Sequence, residues 1–191
     1  MRKQFYALIS FMLLLPVAVM AANAPPRHTV EEKVVINADA AKVWDAVKNF
    51  DSLHTWHPAV KSTEATGGNE AGATRTITLE GGATVSEELK TFSEDGMKYK
   101  YSINEMSSSG TVEDHGETLE IPVIPVNKYI SFITVKAVDG GTEVSWKAKF
   151  YRAYHGHSKE VPAEMGDEVA VKTVTAIYKA GLENLKGMLE K

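Results

Sequence analysis

The spacing of hydrophobic residues changes twice along the chain, from helical to alternating and back to helical. A β-branched stretch at residues 30–36 predicts a first strand. From residue 43 to residue 56, apolar side chains recur three or four positions apart, which predicts two short helices. Asp39 is placed to cap the first helix, and Pro58 ends the second because proline cannot continue a helix.

Between residues 74 and 150, apolar and polar side chains alternate, which predicts half-buried antiparallel strands separated by Gly-Gly and Asp-Gly turns. The last thirty residues return to helical spacing and predict one long helix that begins near Pro162. Its apolar face is too broad for a helix surrounded by water, so we expect it to lie on the sheet. The predicted inward-facing strand residues are Arg75, Ile77, Leu79, Val85, Leu89, Met97, Tyr99, Tyr101, Ile103, Trp146 and Phe150.

These elements predict an α+β fold with a curved antiparallel sheet of about seven strands, two small helices after the first strand, and a long C-terminal helix packed over the sheet. A lipocalin is the competing architecture, because it is also β-rich and closed by a late helix. Lipocalins do not insert two helices after their first strand, whereas residues 39–56 have a strong helical pattern. The sequence shows no repeat and no second domain.

Residues 1–22 have the pattern of a secretory signal peptide. Two basic residues precede an apolar run at residues 5–20, and small residues follow, so we expect cleavage after Ala21 or Ala22. An uncleaved membrane anchor is the alternative. The apolar run is short for a membrane span of about 20 residues, and a proline interrupts it, so we expect no stable membrane insertion.

The mature chain is predicted to be a flexible leader at residues 23–29 followed by one acidic domain at residues 30–191. Over the full sequence, Lys and Arg total 21 and Asp and Glu total 25, which gives a net charge of −4. This balance, without a basic block, argues against nucleic acid or an anionic membrane as a partner. The absence of cysteine excludes disulfides, thiolate nucleophiles and cysteine-based metal sites. A signal peptide on a cysteine-free chain favours the bacterial periplasm.

Arg75 and Glu87 are charged residues that the alternation places on the buried face of the sheet. A three-residue loop at residues 81–83 would pair Leu79 with Val85 and place Arg75 diagonal to Glu87. Burying either charge alone costs several kcal/mol, so we expect the two side chains to form an ion pair. The pair is either a structural contact or a polar anchor for the headgroup of a ligand.

Short motifs in a fixed order carry a family resemblance: Val43-Trp44-Asp45-Ala46-Val47, Trp56-His57-Pro58, Arg75-Thr76-Ile77, Glu87-Glu88-Leu89, Tyr101-Ser102-Ile103, Pro125-Val126-Asn127, Val144-Ser145-Trp146 and Ile177-Tyr178. The chain resembles the START-like (SRPBCC) superfamily, the helix-grip fold of polyketide cyclases, lipid-transfer domains and the birch-pollen allergen. With a signal peptide, it is most similar to periplasmic proteins of the MxaD type. Those are accessories to bacterial methanol oxidation, implicated in the contact of the dehydrogenase with its cytochrome acceptor. Residues 106–120 look like an insertion that lengthens a hairpin or covers the mouth of a cavity.

The resemblance implies a cavity between the long helix and the concave sheet that binds a small hydrophobic or amphipathic ligand. Tyrosine and tryptophan are frequent among the inward positions, and their polar tips suit an amphipathic ligand. A solid core is the alternative for each of these residues. The predicted ligand-binding residues are Trp56, His57, Arg75, Glu87, Tyr99, Tyr101, Trp146 and Tyr178.

Two histidine pairs, His54 with His57 and His155 with His157, have spacings that suit metal ligands. Nothing in the sequence brings the two pairs together, so we predict no metal site and no other cofactor. The sequence has no nucleophile elbow, phosphate-binding loop or zinc-protease motif, and we predict no catalytic residue. If the protein were an enzyme, His57 or Glu87 would be the candidate base.

Two hypotheses of function follow. The first is a non-enzymatic periplasmic protein that carries a small apolar molecule or assists an oxidation system, with a dehydrogenase or cytochrome as partner. The second is a cyclase- or dehydratase-like enzyme that acts on an aromatic or polyketide substrate. Export favours the first hypothesis, because polyketide intermediates and nucleotide cofactors are cytoplasmic.

Overall fold

The computed structural model describes residues 25–156 and 160–191. The predicted signal peptide, the first two residues of the predicted leader and His157 lie outside the described residues. A short 3-10 turn (Ala163–Met165) precedes the last helix. The strands and helices in chain order are β1 (His28–Ile36), α1 (Ala40–Val47), α2 (Leu53–Trp56), β2 (Val60–Thr66), β3 (Thr74–Leu79), β4 (Thr84–Ser93), β5 (Lys98–Met106), β6 (Ser108–Asp114), β7 (Glu117–Pro122), β8 (Val126–Val138), β9 (Gly141–Arg152) and α3 (Asp167–Leu189).

Seven of the strands form one antiparallel sheet in the order β1-β9-β8-β5-β4-β3-β2. The short helices α1 and α2 follow β1 directly, and α3 packs against β1 and β9. The sheet has two edges, β1 and β2, so it is open and is not a closed lipocalin barrel. The predicted α+β helix-grip architecture is confirmed.

Burial along the strands and α3 confirms the predicted inward face. In β3, Arg75 and Ile77 are buried whereas Thr74 is exposed, so the alternation locates the core correctly. In α3, Val174 and Tyr178 are buried one turn apart and belong to the same core as Ile77. The strand β2 was not predicted, because only its first residue is buried and no alternation marks the rest.

The ends of β1 and α3 differ from the prediction. The strand β1 begins at His28, inside the predicted leader, and α3 begins at Asp167 rather than near Pro162. Extended backbone at Gly166 (φ −82°, ψ 176°) separates the 3-10 turn from the helix. The Asp167 carboxylate contacts His28 Nε2 at 2.6 Å and accepts a hydrogen bond from Arg152 at 2.7 Å, which ties the two ends together. Within residues 25–156 and 160–191, no helix combines the length and apolar character needed to span a membrane.

The predicted register of the β3–β4 hairpin is wrong by two residues. Arg75 lies directly opposite Glu87 rather than diagonal to it, and Ile77 lies opposite Val85. The turn is centred one residue earlier than expected, because Gly82 adopts a left-handed conformation (φ 85°) and its N–H donates to the carbonyl oxygen of Leu79. The shift is an even number of residues, so each side chain keeps its predicted face.

The strands β6 and β7 form a separate two-stranded hairpin where the insertion at residues 106–120 was predicted. The hairpin shares a small hydrophobic core with Tyr154, to which Val112 and Leu119 contribute. The Tyr154 hydroxyl donates a hydrogen bond to Asp114 at 2.8 Å and ties the hairpin to the chain after β9. The insertion between β5 and β8 is therefore a hairpin with its own two-stranded sheet.

Candidate ligand-binding site

A cavity of about 100 Å³ lies between α2, α3 and the inner face of the sheet. Its rim includes half-buried aliphatic residues, and the β6–β7 hairpin contributes no lining residue. Because most of the lining side chains are aliphatic or aromatic, the wall is mostly apolar, as is typical of sites for small organic ligands. The aliphatic lining residues are Leu53, Val60, Ile77, Leu79, Val85, Ile103, Ile124, Val174 and Ile177.

The structure brings half of the predicted ligand-binding residues to the cavity wall: His57, Glu87, Trp146 and Tyr178. The others are buried in the surrounding core without lining the cavity: Trp56, Arg75, Tyr99 and Tyr101. Trp56 is only 2% exposed and packs edge-on against Trp146, with ring centroids 5.3 Å apart. Burial raises the pKa of Tyr99 to about 12, so this side chain stays a neutral phenol in the core. The second group supports the wall from behind.

A bulge in β8 explains one missed lining residue, Tyr129. Lys128 and Tyr129 together occupy the place opposite Phe150 of β9, and Lys128 adopts a positive φ of 49°. This shift turns Tyr129 toward the cavity, and its ring stacks on Phe150 at a centroid distance of 6.2 Å. Phe150 is consequently buried without lining the cavity. Met97 also does not line it, because it lies in the turn before β5, where alternation does not apply.

Arg75 and Glu87 form an ion pair inside the protein, where they are 2% and 5% exposed. Arg75 Nε and Nη2 both lie 2.6 Å from Glu87 Oε2, and Nη1 donates to the carbonyl oxygen of Phe50 at 2.8 Å. The guanidinium carbon lies 4.2 Å from the Phe50 ring centroid and 4.9 Å from that of Tyr101, so two aromatic faces stabilise the cation. Burial raises the pKa of Glu87, and the guanidinium opposes this rise.

His57, directly after α2, uses both of its ring nitrogens and reaches α3 through one of them. The N–H of Ala59 donates to Nδ1 at 3.2 Å, so Nε2 carries the proton and donates to the carbonyl oxygen of Ile177 at 3.0 Å. Burial lowers the pKa of His57, and the hydrogen bond to Ile177 opposes this effect. A neutral imidazole with both nitrogens engaged is not free to act as a general base.

A buried hydrogen-bond network satisfies the polar tips of Trp146, Tyr178 and Tyr129 on the cavity wall. Trp146 Nε1 lies 2.9 Å from the Tyr101 hydroxyl and 3.0 Å from Ser131 Oγ, and can donate to either. Ser131 Oγ lies 2.7 Å from the Tyr178 hydroxyl, which is hydrogen-bonded in turn to that of Tyr129. Burial raises the pKa of both Tyr178 and Tyr129 well above the usual value, so both remain neutral phenols.

Gly181 allows α3 to approach the cavity residues closely. A Cβ atom at this position would lie 2.6 Å from His57 Cδ2 and 2.9 Å from Trp146 Cζ3. The Trp146 ring also stacks on Tyr178 of α3, with centroids 4.2 Å apart and planes 13° apart. The absence of a side chain at residue 181 therefore sets the depth at which the helix lies over the sheet.

The three histidines of these pairs that the structure describes, His54, His57 and His155, belong to no group of metal ligands. His54 is exposed and its Nδ1 lies 3.1 Å from the carbonyl oxygen of Asp51, whereas His57 is buried. His155 Nδ1 lies 3.0 Å from the carbonyl oxygen of Ala153. In the part of the chain that the structure describes, no group of three or more His, Asp or Glu side chains could hold a metal ion.

The open curved sheet, the long C-terminal helix and the apolar cavity define a helix-grip protein with a ligand-binding fold. The chain belongs to the polyketide cyclase / dehydrase and lipid transport family, whose family model matches residues 27–190. This match confirms the predicted superfamily, whereas the closer relation to proteins of the MxaD type stays a prediction. No curated protein matches the chain.

Solved structures share the fold over most of their length. XoxI from Bacillus cereus is 26% identical, with a TM-score of 0.63 over 85% of this chain and 94% of that protein. A protein from Nitrosospira multiformis is 21% identical, with a TM-score of 0.61 over 85% of this chain and 96% of that protein. The protein Ara h 8.0201 is 21% identical, with a TM-score of 0.60 over 86% of this chain and 98% of that protein. The last two similarities concern the fold alone.

The substitution Gly181→Ala tests the close approach of α3. We expect it to lower the free energy of unfolding by about 1–3 kcal/mol, because the new methyl group overpacks against His57 and Trp146. Gly187→Ala in the same helix is the matched control. It should raise stability by roughly 0.5–1 kcal/mol, since nothing lies within 4 Å of the new Cβ. Equal effects of the two substitutions in urea unfolding would contradict this account.

A double-mutant cycle tests the buried ion pair. Arg75→Met or Glu87→Leu alone should cost about 3–5 kcal/mol, because each leaves a buried charge without its partner. The double variant should cost much less than the sum of the two. The exposed pair Lys33 and Glu143, whose charged atoms lie 3.1 Å apart, is the control and should couple by less than about 1 kcal/mol. Additive losses at Arg75 and Glu87 in denaturant unfolding would show that the charges are solvated.

The lowered pKa of His57 predicts a loss of stability in acid. The unfolded chain takes up this proton near pH 6.5, whereas the folded protein resists it until the pH falls to the lower folded-state pKa. The contribution is therefore complete above pH ~6.5 and declines below it, by at most about 1.4 kcal/mol per pH unit. Urea unfolding between pH 7.5 and 5 should show this slope, and His57→Gln should reduce it. The exposed neighbour His54→Gln should keep it, and an unchanged slope in His57→Gln would contradict the assignment.

Proposed function

We propose that the protein binds a small hydrophobic or amphipathic molecule in the cavity under α3 and performs no reaction on it. One observation carries this proposal: the wall is apolar, and apart from one oxygen of the Glu87 carboxylate its polar groups are hydrogen-bonded to the protein. His57 uses both nitrogens, and the Trp146 and Tyr178 tips belong to one buried network. General acid–base catalysis needs a group that is free to exchange a proton with the substrate.

An enzyme is the alternative, because the family includes cyclases and dehydrases. Glu87 is the carboxylate on the cavity wall and would be the base. Its contacts with Arg75 disfavour that role, because the guanidinium holds one carboxylate oxygen at 2.6 Å and a proton taken up by Glu87 would weaken this buried ion pair. We therefore give Glu87 a binding role in the proposal.

Export and an oxidation partner complete the proposed function. The signal-peptide pattern of residues 1–22 and the lack of cysteine support a periplasmic location. The sequence resemblance to MxaD-type accessories supports a dehydrogenase or cytochrome as the partner. Both points rest on the sequence, and each has its own experiment.

Native mass spectrometry of the protein purified from its own cell tests the binding function. We expect a bound small molecule in the wild type, and its loss in Ile103→Trp, which fills the cavity from its half-buried rim. Val35→Trp, at an exposed position on β1, is the matched control and should keep the molecule. Equal occupancy in the two variants would place the bound molecule elsewhere. Conversion of the released molecule by fresh protein would favour the enzyme, and a co-purifying dehydrogenase subunit would favour the accessory role.

N-terminal sequencing of the periplasmic fraction tests export. We expect the mature chain to begin at Ala22 or Asn23, because small residues follow the apolar run. Deletion of residues 5–20 should leave the protein in the cytoplasm. An intact Met1 on wild-type protein in the soluble cytoplasm would contradict export.

A further inference from the structure

Glu87 has one carboxylate oxygen that the protein does not use. Both short contacts from Arg75 reach Oε2. Oε1 accepts no hydrogen bond in the described part of the chain. It is not fully enclosed either, so part of its surface is accessible. Glu87 lines the cavity while the residue as a whole is 5% exposed. Oε1 is thus an unsatisfied acceptor at an otherwise apolar cavity.

The charges around the cavity favour a neutral ligand. Arg75 and Glu87 together carry no net charge, and no other charged side chain lines the cavity. A cation or an anion would enter this apolar space without a counter-ion, which is costly in a low-dielectric environment. A neutral group with a hydrogen-bond donor matches Oε1 without adding a charge, and a hydrogen bond to a charged acceptor is among the stronger ones.

The cavity volume limits the size of the ligand. The cavity measures about 100 Å³, somewhat less than the engineered apolar cavity of roughly 150 Å³ that accepts benzene. Sites for drug-sized ligands measure about 300–1,000 Å³. One aromatic ring or a short aliphatic chain therefore fits with small adjustments, whereas a lipid does not.

We propose that the cavity selects a neutral molecule about the size of one aromatic ring that carries a hydroxyl or similar donor, which donates to Glu87 Oε1. The inference rests on the proposed binding function and adds the class of ligand. Phenol and toluene are suitable probes, because they have the same number of heavy atoms and differ in the donor. In a cavity without an acceptor, toluene would bind more tightly, since the hydroxyl of phenol would lose its hydrogen bonds to water.

The dissociation constants of the two probes, measured by NMR titration of the full mature chain, test the inference. We expect wild-type protein to bind phenol more tightly than toluene. In the double variant Arg75→Met/Glu87→Leu the preference should fall on the order of tenfold, as expected for loss of a hydrogen bond to a charged acceptor. Glu88→Gln, which removes the neighbouring outward-facing carboxylate, should keep the preference. The comparison in wild-type protein needs no variant, so it stands even if the double variant does not fold.

The outcomes separate the two levels of the proposal. Tighter binding of toluene by wild-type protein, or an unchanged preference in the folded double variant, overturns the role of Glu87 and leaves the cavity as a binding site. No saturable binding of either probe overturns the binding function itself. A series of 4-alkylphenols tests the size limit: affinity should fall once the chain outgrows the cavity, and a steady rise through octylphenol would overturn the limit.

Discussion

The architecture around the cavity depends on one buried charge, the guanidinium of Arg75. At 2% exposure it has no access to bulk water, so the protein supplies its whole polar environment. Glu87 provides the counter-charge from β4, and the carbonyl oxygen of Phe50, in the chain after α1, accepts a hydrogen bond from Arg75. Two aromatic rings cover the cation. Because these contacts come from three different parts of the chain, the residue holds the α1–α2 corner against β3 and β4. A buried ion pair adds little to stability on average, so the effect of Arg75 that matters here is the position it gives to the α1–α2 corner.

That geometry determines which side chains reach the cavity. Leu53 and His57 follow directly from the corner that Phe50 anchors, and His57 continues the connection to the backbone of α3. Gly181 then sets how closely the helix lies on the sheet. The distance between helix and sheet, and with it the size of the cavity, therefore depends on the hydrogen bond of His57 and on the close packing at Gly181.

The sequence predicts the fold class and the inward faces of the strands well, because alternation and helical spacing report burial directly. It predicts the partnership of Arg75 and Glu87 for the same reason. It does not predict their register, since the register depends on the turn conformation, and the left-handed backbone at Gly82 centres the turn one residue earlier than the predicted loop at residues 81–83. It misses Tyr129 because a bulge at Lys128 interrupts the alternation. It also does not predict that Trp146 lines the cavity while Trp56 lies in the core, because that difference depends on long-range packing.

The β6–β7 hairpin packs apart from the main core of the protein. Its hydrophobic contacts belong to a small core around Tyr154, separate from the large core under α3. A two-stranded sheet is only marginally stable without such packing, so the hairpin depends on its contacts with Tyr154 and on the hydrogen bond between the Tyr154 hydroxyl and Asp114. Because no residue of the hairpin lines the cavity, the sequence of its loop can change, in evolution or by engineering, with little effect on the cavity. The hairpin is therefore the part of this fold where a new binding surface can arise without altering the site under α3.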